Sequence, residues 1–533
     1  MIRKFEAIFI NYSGVILNTY YIVVGDILKK LYNFNTRAIK SIFYLLFTLT
    51  FLFSLTSPNL ILGDNNVTKI GTTAFTTVIL FIFALIGLLL YLSSKFRKFC
   101  KWIFIDNRWI TSGCCLLLAV LIQIIFIYLT HSAIGFDVSG VHQGMTRPND
   151  VEIVGYFSVN PNNLGIFLFQ TLFKNIFHST SWELFEFITM FLVDLAAIFN
   201  LFSIAIIDKT KVPIGMYIHA IWLATFPAIL VPYTDTWAIQ FVAIYIFCYC
   251  GITYTNWNKF IKFILVIPLG ISLSAGYFIK PSTIIPMIAI IIIELIHLLK
   301  KKQHQWLWLF LLCITFIGST GGSYYQFNKI IKTQNYVRVY TFRAKPMIHF
   351  INMGLSNDGG YNAKDSFKMV TLIHKKDRIN YSVNSIHKRL HKMGFGGYLA
   401  FLLKKHGNNT SDGTFAWLRD GDFVPMKHSP EKKGIRGKIQ NFFYLYGNNV
   451  GDFRFLTQIW WCIWLGLIFF AWKDDRKITQ VMRLSLVGGF IFLLIFEGGR
   501  SRYLIQFLPA FLILATCNFE TSIHQVKSLF VWK

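Results

Sequence analysis

FDVSGVHQGMTRPNDVEIVGYFSVNPNNLGIFLFQTLFKNIFHSTSW, residues 136–182, follows a long apolar segment and carries three carboxylates, Asp137, Asp150 and Glu152. Two aromatic residues, Tyr156 and Phe157, precede a Pro-Asn-Asn turn, and an apolar run follows from Leu164 to Phe177. A bilayer core needs about 20 apolar residues for a crossing, and runs of about 10–14 lie at the interface or re-enter. The run is therefore expected to form a helix lying on the membrane surface, with the loop before it folded over an active site.

Charge in the neighbouring loops tests that expectation. If Leu164–Phe177 crossed, the segment 183–207 would run outward and the basic turn Asp208-Lys209-Thr210-Lys211 would lie outside. A surface helix instead puts that turn inside, where short loops rich in Lys and Arg belong. The downstream loops then agree. Spans at 213–231, 237–255, 263–279, 282–299 and 306–321 alternate between polar outer turns and basic inner ones, and 456–472, 478–496 and 503–517 end in a basic tail. Upstream, Lys29, Lys30, Arg37 and Lys40 put the first loop inside, and 41–61, 71–93 and 109–132 follow in alternation.

The composition fits such a chain. Hydrophobic residues make up 54%, aromatic residues 17% and charged residues only 14%, and the mean hydropathy is positive. A soluble globular protein of this length is excluded. The net charge of +27 reads as positive-inside signal and affinity for anionic lipid rather than for nucleic acid. The eight cysteines form no disulfide framework in the polar stretch 323–455, and no Cys/His cluster has zinc spacing. The expected fold is an all-α polytopic membrane protein of about 12 spans. Its parts are an N-terminal amphipathic segment (1–40, an interfacial helix or a weak first span), a transmembrane domain (41–322) with an outer loop at 133–182, a mixed extracytoplasmic domain of short helices and loops (323–455), and C-terminal spans with a tail (456–533).

Several residues could carry chemistry. Asp137 closes a span at the outer interface, where a carboxylate is either a general base for a bound hydroxyl or a solvated helix-end acid. Asp150 and Glu152 are weaker candidate acids that read first as solvated or structural, and Asp235 is a further acid equally readable as a span-start cap. Lys280, Arg500 and Arg502 sit at outer ends of spans, where cations hold a lipid-linked phosphate or anchor the interface. Tyr156 and Trp417 are candidate sugar contacts. Asp194, inside a span, requires a buried partner.

YFSVNPNNLG (156–165), PYTDT (232–236), FIKPS (278–282), HFINMGLSNDGGYNAKD (349–365) and FEGGRSRYLIQFLP (496–509) bring together a first-loop acid, a surface helix after a Pro turn and a late Arg-x-Arg-Tyr. In these features the chain resembles the GT-C class of integral membrane glycosyltransferases, which includes protein O-mannosyltransferases and aminoarabinose transferases, and is most similar to its Gram-positive members. The resemblance implies a bacterial plasma-membrane enzyme that moves a sugar from a polyprenyl-phosphate donor to an envelope glycan, lipid or protein on the outer face. It implies Asp137 as base and Lys280, Arg500 and Arg502 as phosphate-holding cations. Asp137 is followed by Val138 rather than a second acid, a departure from the O-mannosyltransferases that leaves open whether a divalent metal takes part. A lipid-linked polysaccharide polymerase or ligase and a lipid-linked oligosaccharide flippase are the competing classes.

Overall fold

A computed structural model describes residues 30–298, 305–417 and 429–530, and among them every regular element is helical. The N-terminal segment before residue 30, the Lys300–Lys302 loop and the extreme tail lie outside the described residues. The chain is organised between two polar faces. One face, the basic-loop face, is laced by ion pairs joining sequence-distant turns. Lys40 pairs with Asp475 at 2.9 Å, Lys211 with Glu520 and Lys477 with Glu294, while Tyr32 meets His297 at 3.4 Å.

Helices shuttle between this face and the opposite one. They are α1 (30–55), α2 (Ala74–Leu92), α4 (Arg108–Thr130), α8 (Trp182–Ile207), α9 (Val212–Ala224), α10 (Thr234–Tyr254), α11 (Lys259–Ile279), α12 (Ile285–Leu298), α13 (Trp306–Thr333), α18 (Val450–Phe469), α19 (Lys477–Ile495) and α20 (Leu508–Phe530). Ten of these passages are long and apolar enough to cross a membrane. The short α9 and the more polar α18 complete twelve among the described residues. The amphipathic α3 (Ser94–Lys101) lies at the basic-loop face after α2.

Burial separates centre from rim. α10 and α20 are largely buried, whereas α2 and α13 expose nearly all of their apolar side chains, as lipid-facing helices do. The core is aromatic, with Phe43, Phe47, Trp222, Trp461 and Trp464 fully buried. Asp194 of α8 lies beside Gln123 of α4. One expectation needs correction: residues 30–40 do not belong to a separate surface segment but are the first turns of α1. Their charges sit where the helix meets the basic-loop face, so nothing there breaks the backbone hydrogen bonding.

The other face carries two folded insertions. The first contains α5 (Phe136–Thr146), α6 (Val151–Val159) and α7 (Leu164–Phe177). α7 has 14 residues, too few to cross a bilayer core on its own, and it packs against its neighbours on this face. The Lys174 ammonium donates to the Met145 carbonyl at the end of α5 at 2.7 Å, and Gln170 donates to the Pro232 carbonyl at 2.7 Å. Gly165 lets the start of α7 touch the end of α11, since a Cβ there would sit 2.0 Å from the Phe278 carbonyl oxygen. The second insertion lies between α13 and α18 and holds α14 (Met347–Gly354), α15 (Ala363–Thr371), α16 (Lys375–Thr410, kinked at Gly394) and α17 (Gly434–Phe443).

The second insertion and the start of α18 serve helix ends. Arg436 and Gln440 of α17 donate to the Leu129 carbonyl and Tyr444 to that of Thr130, satisfying groups that the last turn of α4 leaves open. Asp452 receives the Thr73 and Thr76 amides at the start of α2, where a carboxylate also suits the helix dipole. If α7 stays on one side, positions 151 and 209 lie on opposite sides of the bilayer. Val151 is 88% exposed and Lys209 is exposed. In a cysteine-free background, single cysteines at these positions are expected to react with an impermeant maleimide from opposite sides. Labelling of both from one side would overturn the topology.

Candidate functional site

The chain segments that end at the insertion-bearing face meet in one polar cluster. Its centre is Asp235, in the first turn of α10, whose side chain is 7% exposed. Lys280 reaches it from the end of α11, and Arg502 approaches its other oxygen at 3.7 Å. The Tyr503 ring lies beneath both cations, 4.9 Å from the Lys280 ammonium and 4.7 Å from the Arg502 guanidinium. Its hydroxyl donates to Glu497 at 3.2 Å.

Asp137 enters from the first insertion, at the second residue of α5 and half-buried. The preceding Phe136 has φ +48°, a costly conformation for a bulky side chain, and it turns the chain from the end of α4 into α5. The Tyr156 hydroxyl donates to the Asp137 carbonyl at 3.3 Å and accepts from Asn163. Tyr233 donates to Asn163 at 3.4 Å. Asp137 and Arg502 both act electrostatically on the Tyr233 hydroxyl, so the loop acid and the late arginine belong to one field.

Two further groups complete the cluster. Lys345, just before α14, is within electrostatic reach of Asp137 and Glu497. Its amide is held by the Val159 carbonyl at 3.1 Å and its ammonium donates to Ser366 at 3.0 Å. Burial pushes Glu497 up from the usual carboxylate range against the pull of Arg502. Burial likewise lowers Lys280 against Asp235 and Lys345 against Asp137, and raises the Tyr156 and Tyr233 hydroxyls, with Asp137 adding to the effect. Each group loses water, which strengthens the charges that remain.

Arg500 points to a different partner. It pairs with Asp358, and it does so where two acid-Gly-Gly turns, Asp358-Gly359-Gly360 and Glu497-Gly498-Gly499, lie back to back. The Gly498 amide donates to the Gly359 carbonyl at 2.9 Å, and the Gly499 amide to Asn409. Burial works against the Asp358 carboxylate, but Arg500 outweighs it and holds the group below its ordinary range. Lys405 of α16 fastens the same junction, donating to the carbonyls of Gly354, Leu494 and Phe496 at 2.7–3.0 Å. Two of those carbonyls end α19, where a cation suits the helix dipole. Gly499 has φ +75°, and a Cβ there would meet the Gly360 nitrogen at 2.8 Å. Gly499→Ala is expected to cost about 1–3 kcal/mol, read as a lower Tm of the purified protein; an unchanged Tm would mean that the two turns are not tightly docked.

Other candidates fall elsewhere. Asp150 and Glu152 are exposed, and Asp150 makes only a surface pair with Arg147 at 3.4 Å. Trp417 is 4% exposed in the main core, and its indole N–H donates to the Phe443 carbonyl at 3.0 Å, so it presents no face to a ligand. Tyr156 packs its ring against Gly140 of α5 and props the backbone of Asp137. The residues do not fit a divalent metal. Among the described residues no three His, Cys, Asp or Glu side chains converge, and Lys280, Lys345 and Arg502 already face the acids of the cluster.

Sequence reading missed Lys345, Glu497 and Tyr233 as members of the cluster and Asp358 as the partner of Arg500. Lys345 is one lysine in a lysine-rich insertion and carries no signal. The acid-Gly-Gly triplet does, since it occurs at 358–360 and again at 497–499. A family model described as conserved hypothetical integral membrane protein matches residues 31–523. No curated protein and no solved structure matches the chain.

Proposed function

We propose that this chain, which belongs to the family of conserved hypothetical integral membrane proteins, moves a sugar from a polyprenyl-phosphate donor to an acceptor on the outer face of a bacterial plasma membrane. The observation that carries the reading is the meeting of Asp137 with the Asp235–Lys280–Arg502 group on the face opposite the basic loops. Those loops mark the cytoplasmic side, so the cluster faces outward, where an activated sugar arrives on a lipid carrier. The GT-C-like architecture is part of the same reading.

The chemistry follows from the charges. Asp137 takes the proton of the acceptor hydroxyl, whose oxygen attacks the anomeric carbon. The bond from that carbon to the phosphate oxygen breaks, and the polyprenyl phosphate leaves with the electron pair. Lys280 and Arg502, which face Asp235 and Glu497 in the cluster, meet the charge developing there. Attack opposite the leaving group inverts the anomeric centre. Arg500, bound to Asp358, holds the loops in place and contributes to the field from further out.

Proteoliposomes supplied with a radiolabelled polyprenyl-phosphate sugar and candidate wall, lipid and protein acceptors test the proposal. The expected product is acceptor carrying a single added sugar with inverted configuration. Chain elongation on the lipid would favour a polymerase or ligase, and translocation of the lipid without any transfer would favour a flippase.

A further inference from the structure

On the Lys345 side of the cluster, the segment 341–348, the turn at 373–375 and the first turns of α16 enclose a cavity of about 960 Å³, a size suited to a sizeable small-molecule ligand. Its walls are mostly apolar, with Phe342, Pro346, Ile348, Ile373, Ile379 and Val383 among them. Its charged lining has one sign: Lys345 and Lys375 contribute, and no carboxylate does. At the rim Phe342 is 61% and Ile373 60% exposed. Large apolar side chains left open in an insertion outside the spans mark a contact surface.

A free glycan would need walls of hydrogen-bonding groups, which this cavity lacks. A neutral lipid would draw nothing from the two lysines at its wall. An amphiphile with one anionic group satisfies both features, its chain against the apolar wall and its head at Lys345 and Lys375. Lys345 is also within electrostatic reach of Asp137, which puts this cavity on the loop-acid side of the cluster. The donor phosphate is assigned to Lys280 and Arg502, which leaves this side of Asp137 for the acceptor.

We propose that the cavity is the acceptor site and that its occupant is an anionic amphiphile, a lipid whose phosphate-type head carries the hydroxyl presented to Asp137. The assignment of the occupant as acceptor rests on the glycosyl-transfer reading; the binding itself does not.

The test measures binding with no sugar donor present. The full chain in zwitterionic nanodiscs is titrated with a fluorescent dodecyl phosphate, alongside the equivalent neutral dodecyl probe and empty nanodiscs. The phosphate probe is expected to bind the protein above its partition into empty discs, and a 100-fold excess of inorganic phosphate is expected not to displace it. Val383→Trp and Ile379→Trp, which fill the cavity, should weaken binding at least tenfold. Lys375→Gln alters an exposed residue in the first turn of α16, so folding is not at risk, and it should weaken binding of the phosphate probe while leaving the neutral probe unchanged. Unaltered binding in Lys375→Gln and in both tryptophan variants would overturn the site. Displacement by inorganic phosphate would overturn the amphiphile in favour of a free-anion site, and uptake no greater than in empty discs would overturn binding altogether. Failure of sugar transfer in proteoliposomes would remove the catalytic reading and leave the binding result standing, so the two failures are distinguishable.

Discussion

Asp137→Asn is expected to reduce sugar transfer by about 10²–10⁴-fold, the usual contribution of a positioned general base, while the protein folds and binds its donor as before. Asparagine keeps the size of the side chain and a hydrogen-bond acceptor but cannot take the acceptor proton. The backbone at this position is held independently, by the Tyr156 hydroxyl on the Asp137 carbonyl, so the substitution leaves the geometry of α5 in place. Tyr156→Phe serves as the control. It removes two hydrogen bonds, one to the Asp137 carbonyl and one from Asn163, each worth about 1 kcal/mol, and should lower turnover only several-fold. Initial rates with radiolabelled donor, with donor binding measured separately, decide the matter. Near-normal turnover in Asp137→Asn would sink the base assignment and turn attention to Asp235 and Glu497.

Lys280→Met is expected to be the most damaging single change to stability at the site. The Asp235 side chain is 7% exposed and that of Lys280 13%, and without the lysine the carboxylate keeps only Arg502 at 3.7 Å. Leaving one partner of a buried pair uncompensated typically costs about 3–5 kcal/mol, whereas replacing both with apolar residues is often close to neutral. The double variant Lys280→Met/Asp235→Leu should therefore recover most of the lost Tm. It should not recover donor binding, because the proposed phosphate-holding cation is gone in both. A single variant as stable as the parent protein would show that the pair is solvated. A double variant that regains donor affinity would remove Lys280 from the phosphate.

The architecture was legible where a physical limit applied. A run the length of Leu164–Phe177 falls short of a bilayer core on its own, and the charges at Lys209 and Lys211 left one consistent direction for every later helix. Sequence also indicated which residues share a face, since Asp137, Asp235, Lys280 and Arg502 all end spans on the same side. It could not indicate depth. Asp150 and Glu152 occur on the same loop as Asp137 but project into solvent, because α6 turns its apolar side, Ile153 and Phe157, inward. Partner choice was equally hidden. Arg500 and Arg502 are two residues apart, yet one turns to Asp358 and the other to Asp235, a division made by the positive φ of Gly499 and by the loop it docks against. Trp417 looked available only because nothing in the sequence reveals that the Phe443 carbonyl lies within reach of its indole.

The docking of the two acid-Gly-Gly turns also has a bearing on how the molecule is made. The Asp358 turn leaves the ribosome well before the Glu497 turn that receives it, with α18 and α19 still to be inserted between them. Until then Lys405 has no α19 carbonyls to hold, Arg500 does not yet exist, and the long insertion after α13 must wait with its docking surface open. Domains form in the order of synthesis, and waiting surfaces are where misassembly begins. The site is therefore completed only in the last step of biogenesis. A nascent chain stopped before residue 497 would hold most of the helices but neither the Arg500–Asp358 pair nor the Gly498–Gly359 contact that joins them to the insertion.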